Sequence, residues 1–231
     1  MEKLGIVVLL PMKAHSERVK AKNFKVLHGK PLFQWILDTL LSISEIDKIV
    51  INTDARKKLE SSGSIKSERV QIRDRKPELC GDTVSMNRIL ADDIEHVPAD
   101  LYLMTHTTNP LLSSKTIRGA LQAFSQSQGV RQADSLFAVN RFQTRFYRQD
   151  GSPINHDPQS LVPTQDLEPW YEENSNLYLF TAESFSATQA RIGQRPLLFE
   201  TPRLESIDID NVEDWQLAEA VAQYLYPQSI Q

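Results

Sequence analysis

The sequence predicts an α/β fold: a mostly parallel sheet with helices on both faces and a small inserted arm. Three observations carry that reading. Apolar runs of strand length alternate with segments of helical spacing through the first 140 residues, the order expected of βαβ units with right-handed crossovers. The first of these runs is continuously apolar, as in strands covered on both faces. The regular pattern breaks once, from about 141 to 165, where aromatic residues, Pro and Gly interrupt it.

Taken in order, residues 4–10 form the first predicted strand, closed by Pro11. A helix over 31–42 opens at Pro31 and sets Leu32, Trp35, Ile36, Thr39 and Leu40 at helical spacing. Residues 46–53 read as a second buried strand ending at Asp54, and 55–61 as a polar helix. A short third strand is expected at 70–72, then a helix at 83–94 begun by an Asp-Thr capping signal. A strand at 101–104, a helix at 113–126 and a strand at 135–139 complete the alternating part. Beyond the arm come short strands at 177–180, 197–199 and 206–209, and an amphipathic helix at 212–224. Neither an internal repeat nor a long linker divides the chain, so residues 1–231 are expected to form one domain.

Composition excludes several classes. The chain has 231 residues, 40% of them hydrophobic and 24% charged, which argues against disorder and low complexity. Twenty-six basic against 30 acidic residues give a net charge of −4, so no global basic field recruits nucleic acid. The single cysteine, Cys80, rules out an internal disulfide framework and any multi-cysteine metal site. No run approaches the length that spans a bilayer, and the apolar start lacks a small-residue cleavage site. The expectation is a soluble, cytoplasmic protein with no membrane partner.

Ligands of open parallel sheets bind beyond the carboxyl ends of strands, so the loop after the first strand is the first candidate site. It carries Lys13, Arg18, Lys20 and Lys22 within ten residues, against the single acid Glu17. Such a cluster suits a polyanion, most simply a triphosphate, although a solvated basic turn would also explain it. Near the other end, Asp208 and Asp210 stand two apart in an expected strand, where both carboxylates project to one face. That spacing suits magnesium shared with triphosphate oxygens. The alternative is that Asp210 or Asn211 caps the last helix. No glycine-rich dinucleotide or P-loop motif is present, which removes the main support for those readings.

Six segments in order resemble the sugar-activating cytidylyltransferases, closest to the CMP-sialic-acid synthetase (acylneuraminate cytidylyltransferase) group. They are Pro11 through Asn23 with the following Gly29-Lys30-Pro31-Leu32; Asn52-Thr53-Asp54; Arg75 through Thr83; Thr107-Thr108-Asn109-Pro110-Leu111; Glu173 through Tyr178; and Ser206 through Asp214. The resemblance implies a Rossmann-like nucleotidyltransferase domain acting on CTP and a nine-carbon α-keto acid sugar, working as a homodimer through the 141–165 arm, or using that arm on substrate. It also implies roles for individual residues. Lys13 and Lys22 would meet the phosphates, Asp208 and Asp210 would hold Mg2+, and Ser16, Asn23, Arg75 and Ser85 would contact nucleotide.

The chain departs from the family pattern in two places. Ala14-His15 replaces a Gly-Gly pair, which throws phosphate contact onto Lys13, Ser16 and Lys22. Leu112 and Glu172 replace sugar-side arginines, leaving the sugar carboxylate to Arg141, Arg145, Arg148 or another cation of the arm. His15 and His106 either touch substrate or pack. His96 and His156 have no partner at metal-ligand spacing, and Cys80 reads as buried structure. Phe142, Phe146, Tyr147, Trp170 and Tyr171 read as core or dimer surface. Two rivals stay open: a synthetase for another keto acid sugar such as Kdo, and a non-catalytic nucleotide-binding relative.

Overall fold

In the computed structural model the described residues are 4–14, 16, 18–130 and 132–227. Seven strands form one sheet. The first, β1 (Leu4–Leu9), lies near its middle, flanked by β4 (Lys48–Thr53) and β6 (Ala99–Met104), with β5 (Val70–Asp74) beyond β4. All four run parallel. On the other side β8 (Trp170–Phe180) pairs antiparallel with β6, and β7 (Ser135–Phe142) with β9 (Pro196–Glu200) complete the edge. The two missing numbers, β2 (Val26–Leu27) and β3 (Lys30–Pro31), form a small hairpin ahead of the first helix. Its tip uses His28 and Gly29, both at positive φ.

The pleat of β1 sorts its side chains between two apolar layers. Val8 and Leu10 meet α1 (Leu32–Leu41) and α4 (Ser114–Val130) through Phe33, Ile36, Leu37, Ile117 and Phe124. Val7 and Leu9 meet the opposite layer, where α3 (Met86–His96) contributes Leu90 and α5 (Ala182–Thr188) contributes Phe185. Val7, Val8, Leu9 and the following Leu10 are fully buried, and truncating one such leucine to alanine costs about 2–5 kcal/mol. The short α2 (Arg56–Ser61) buries only Leu59. A third cluster gathers Val19, Leu27, Leu32, Trp35, Leu111 and Ile209 against Trp215 of α6 (Val212–Leu225). This cluster ties the loop after β1 to the segment before α6, though they lie almost two hundred residues apart.

Three expectations need correcting, and one helix was not expected. Residues 206–209 are extended but join no sheet; the segment crosses the carboxyl end of the strands, held by single bonds such as Ile209 N–H to the Thr108 carbonyl at 2.9 Å. The helix expected from residue 83 begins at Met86, with Ser85 at its N-cap and no side-chain capping bond, because Asp82 is drawn away to Lys13. β8 starts seven residues earlier than expected and pairs with β7 as the base of the arm. The helix α5 is not legible as a separate pattern, since its seven residues span barely two turns. The register of β7 and β8 slips between Phe137 and Val139, a bulge that puts extra residues of β8, around Ser175, at the carboxyl end of β6.

Candidate active site

The carboxyl ends of β1 and β6 open on a cavity of about 550 Å³. Lys13, Lys22, His106, Asp208, Asp210 and Arg191 all contribute to its wall. Four of these are the predicted catalytic residues, drawn together from opposite ends of the chain.

The convergence rests on local structure. Ala21 adopts a left-handed backbone (φ 53°), and its carbonyl accepts from Phe24 N–H at 2.9 Å, starting the tight turn Lys22–Phe24. A non-glycine residue in that region costs on the order of 1 kcal/mol. The turn buries Lys22, whose ammonium donates to the Ile209 carbonyl at 2.5 Å and lies 3.3 Å from Asp210 Oδ1. Between the two aspartates Ile209 points into the third apolar cluster, so Asp208 and Asp210 face the cavity as their two-residue spacing predicts. Arg18 reaches the other Asp210 oxygen at 3.6 Å.

Capping does not explain Asp210. Asn211 caps α6, accepting from Glu213 and Asp214 N–H, and the Asp214 carboxylate in turn accepts from Asn211 N–H. Asp208 accepts a hydrogen bond from the Thr108 side chain, yet its Oδ1 is buried and has no hydrogen-bond partner among the described residues. Burial, with Asp210 and Asp214 nearby, pushes its carboxyl above the usual range against the opposing pull of Thr108 and Lys22. An orphan carboxylate oxygen beside a second carboxylate is a donor set suited to a hard cation.

The phosphate loop is shaped by side chains in place of glycines. Asn23 donates to the Lys13 carbonyl at 2.8 Å and accepts from the Thr107 hydroxyl at 2.7 Å, and Ala14 N–H donates to Asp54 at 2.6 Å. Lys13 itself is half-exposed and pairs with Asp82 at 2.8 Å. Ser16 borders both this cavity and a neighbouring one of about 910 Å³, in which Arg75 lies with Thr53, Asp54 and Lys20. Arg75 donates to the Asn52 side chain (2.9 Å), the Asn52 carbonyl (2.8 Å) and the Met12 carbonyl (3.3 Å), and burial lowers its pKa. Behind it Asn52 donates to Asp93, which also pairs with Arg73 at 2.6 Å. Ser85 is exposed at the α3 N-terminus, between the cavity residues Asp82 and Met86.

Three residues of the wall were given no site role by the sequence reading, although Ser175 and Asp82 lie within the segments that resemble the cytidylyltransferases. Arg191 lies just after α5, far from any motif; Ser175 reaches the wall through the β8 bulge; Asp82 is the partner of Lys13. The arm arginines do not line this cavity. Arg141 bonds Gln143, Arg145 the Val162 carbonyl and Arg148 the Pro153 carbonyl, all on the arm's own surface. His106 does line it, half-buried, and burial together with the charges of Arg191 and Lys22 pushes its pKa down to about 3. It is therefore neutral at physiological pH.

The remaining candidates are settled by position. His15 lies outside the described residues. Helical spacing brings His96 within 4.8 Å of Asp92 and Glu95, closer company than its spacing had suggested, but Asp92 is already paired with Arg73 and Lys76. His156 bonds the Tyr147 hydroxyl at 2.9 Å. Cys80 is half-buried and not enclosed in a core.

A sequence profile of the cytidylyltransferase family matches residues 7–224. The chain is similar to N-acylneuraminate cytidylyltransferase of Oncorhynchus mykiss, 26% identical over 223 residues, which cover 94% of this chain and 50% of the relative. It is similar also to pseudaminic acid cytidylyltransferase of Campylobacter jejuni, 23% identical over 221 residues, covering 91% and 93%. The chain thus spans about half the length of the first relative and nearly all of the second. The structure of CMP:2-keto-3-deoxy-manno-octonic acid synthetase complexed with CTP superposes with a TM-score of 0.66 at 13% identity, over 96% of this chain and 99% of that one. That likeness is one of fold. Among the described residues no helix is long and apolar enough to cross a membrane.

Proposed function

The chain belongs to the cytidylyltransferase family, and on that footing we propose that it transfers a cytidylyl group from CTP to a sialic-acid-like α-keto acid sugar. The anomeric hydroxyl of the sugar attacks the α-phosphorus in line, the bond to the β-phosphate oxygen breaks, and pyrophosphate leaves. The observation that carries this reading is the meeting of Lys22 with Ile209 and Asp210 at the rim of β1 and β6. Lys13, Lys22 and Arg18 are the cations available to the phosphates there, and preorganised charge of this kind supplies most of the rate in phosphoryl-group chemistry. Ser16, Asn23, Arg75 and Ser85 are assigned to the nucleotide, with Asn23 acting chiefly by shaping the Lys13 loop.

Asp208 and Asp210 are the residues that would hold Mg2+, and the unpartnered Asp208 oxygen fits that role. Bound there, the ion would neutralise phosphate charge and lower the pKa of an oxygen ligand. Dimerisation is assigned to the arm and its base in β8, which expose Leu161, Val162, Trp170 and Tyr171. Leu161→Glu with Tyr171→Glu is expected to shift a dimer to monomer in analytical ultracentrifugation; an unchanged sedimentation profile overturns the assignment. We assign the protein to the cytoplasm. The central experiment is pyrophosphate release from CTP and Mg2+ with a panel of keto acid sugars, N-acetylneuraminate, pseudaminate and Kdo included. Turnover with any of them supports the proposal, and CTP binding without turnover across the panel overturns it.

A further inference from the structure

Most charges of the cavity answer one another within its own wall: Lys13 with Asp82, Lys22 and Arg18 with Asp210. Arg191 does not. Its ion-pair partner, Glu173 at 3.2 Å, lies outside the residues that line the cavity, and a single Glu173 oxygen serves both Arg191 and the Tyr178 hydroxyl. Among the described residues the other hydrogen bond of the guanidinium is to the sulfur of Met104, at 3.8 Å, a weak acceptor. The guanidinium carbon stands 3.9 Å from the centroid of the Tyr178 ring, and the side chain is only 20% exposed. An arginine whose flat face is occupied by an aromatic ring, and whose N–H edge is largely unspent, is built for bidentate capture of a planar anion.

The turn that carries Arg191 is fixed. Asp134 accepts from Gln194 and Arg195 N–H at 2.9 and 3.0 Å, and Ser135 Oγ accepts from Gly193 N–H at 2.8 Å. A side chain at Gly193 would collide with the Asp134 carboxylate. The Arg191 N–H itself bonds Asn87 of α3. A long cation held this firmly in the wall of the cavity is a preorganised anion site. Beside it His106, kept neutral, offers one donor and one acceptor to hydroxyl groups.

We propose that Arg191 receives the carboxylate of the sugar acid within the same subunit, with Glu173 as its counter-ion while the sugar is absent. The proposal rests on the cytidylyl-transfer reading and names the residue that recognises the acid group of its acceptor. Arg191 thereby does the work that the sequence had left to Arg141, Arg145 or Arg148.

The test is steady-state kinetics with whichever sugar acid of the panel the unaltered protein turns over, alongside the same sugar with its carboxylate converted to a carboxamide. The unaltered protein is expected to prefer acid to amide by about 100-fold in kcat/KM. Arg191→Met is expected to reduce that preference to under about threefold while the KM for CTP stays within about threefold, so that only recognition of the anion is lost. Arg191→Lys, which keeps the charge without the fork, covers the case in which the methionine variant does not fold. It is expected to lose about tenfold on the acid and little on the amide. A preference retained in Arg191→Met, or equal losses on both sugars in Arg191→Lys, overturns the proposal and leaves cytidylyl transfer standing. An unaltered protein inactive toward every sugar acid overturns the transfer reading itself.

Discussion

The phosphate loop and the turn that carries Arg191 line one cavity and are built differently. At the phosphate loop Lys22 is tied to the Ile209 carbonyl, Asn23 to the Lys13 carbonyl and Asp54 to Ala14 N–H, while among the described residues Lys13 and Arg18 answer only to the carboxylates of Asp82 and Asp210. Beneath them Val19 and Ile209 lock into one apolar cluster. The Arg191 guanidinium answers to side chains alone, among them Glu173 and the ring of Tyr178. Backbone ties fix a charge in one place, whereas a side-chain ion pair can exchange its anion for another. The first arrangement suits a triphosphate of constant shape, and the second suits an acceptor that must enter, be recognised and leave.

The comparison predicts that substitutions around the phosphate loop act on turnover and folding together, with one informative exception. The largest effect is expected at the aspartate pair, where Asp208→Asn or Asp210→Asn lowers metal-dependent turnover by at least about 1,000-fold. Asp208→Asn is nevertheless expected to leave the melting temperature in metal-free buffer unchanged or higher, because it removes a buried charge with an orphan oxygen. Calorimetry beside the pyrophosphate assay checks both, and a marked loss of stability would mean that Asp208 is structural.

Lys22→Met is expected next, losing about 100-fold in turnover together with about 1–3 kcal/mol of stability, since it strands the Ile209 carbonyl. Chemical denaturation that finds no change would remove the backbone tie from the explanation. A third prediction concerns the support behind Arg75. Asp93 is fully buried, one of its oxygens is unpartnered, and burial raises its pKa from 3.8 to about 6 despite Asn52, Arg73 and Arg75. The folded state therefore holds that proton more tightly than the unfolded state. The associated stability is complete below pH 4 and is lost as the pH rises through 6, a change on the order of 3 kcal/mol. Stability of the unaltered protein relative to Asp93→Asn is expected to fall between pH 4 and 6 and level off above 7; a flat difference contradicts it.

Arg18→Ala is expected to do least. Its head is exposed and 3.6 Å from Asp210, so the KM for CTP is expected to rise only about two- to fivefold, within the range of surface ion pairs. A loss as large as that at Lys22 would erase the distinction between tied and untied cations.

Much of the fold was legible because its signals are local. The apolar run at the start announces a strand covered on both faces, and the repeated helix-length spacing announces parallel crossovers. The candidate site was legible where its residues sit in recognisable motifs: Lys13 and Lys22 in the loop after β1, Asp208 and Asp210 in the segment before α6. It was illegible where tertiary packing alone supplies the residue. Nothing around Arg191 distinguishes it from Arg195 four residues later, and only the turn nailed by Asp134 brings it to the cavity. The arm misled in the opposite direction, since it is rich in arginines that the structure commits to the arm's own carbonyls.

The sequence by itself determined the alternating architecture, the basic loop and the paired carboxylates, because hydrophobic period and residue spacing act over a few residues at a time. Only the tertiary structure decided which distant charges meet. That choice is made by the burial of Val19, Ile209 and Trp215 in one cluster and by the bulge in β8, whose geometry depends on contacts far apart in the chain.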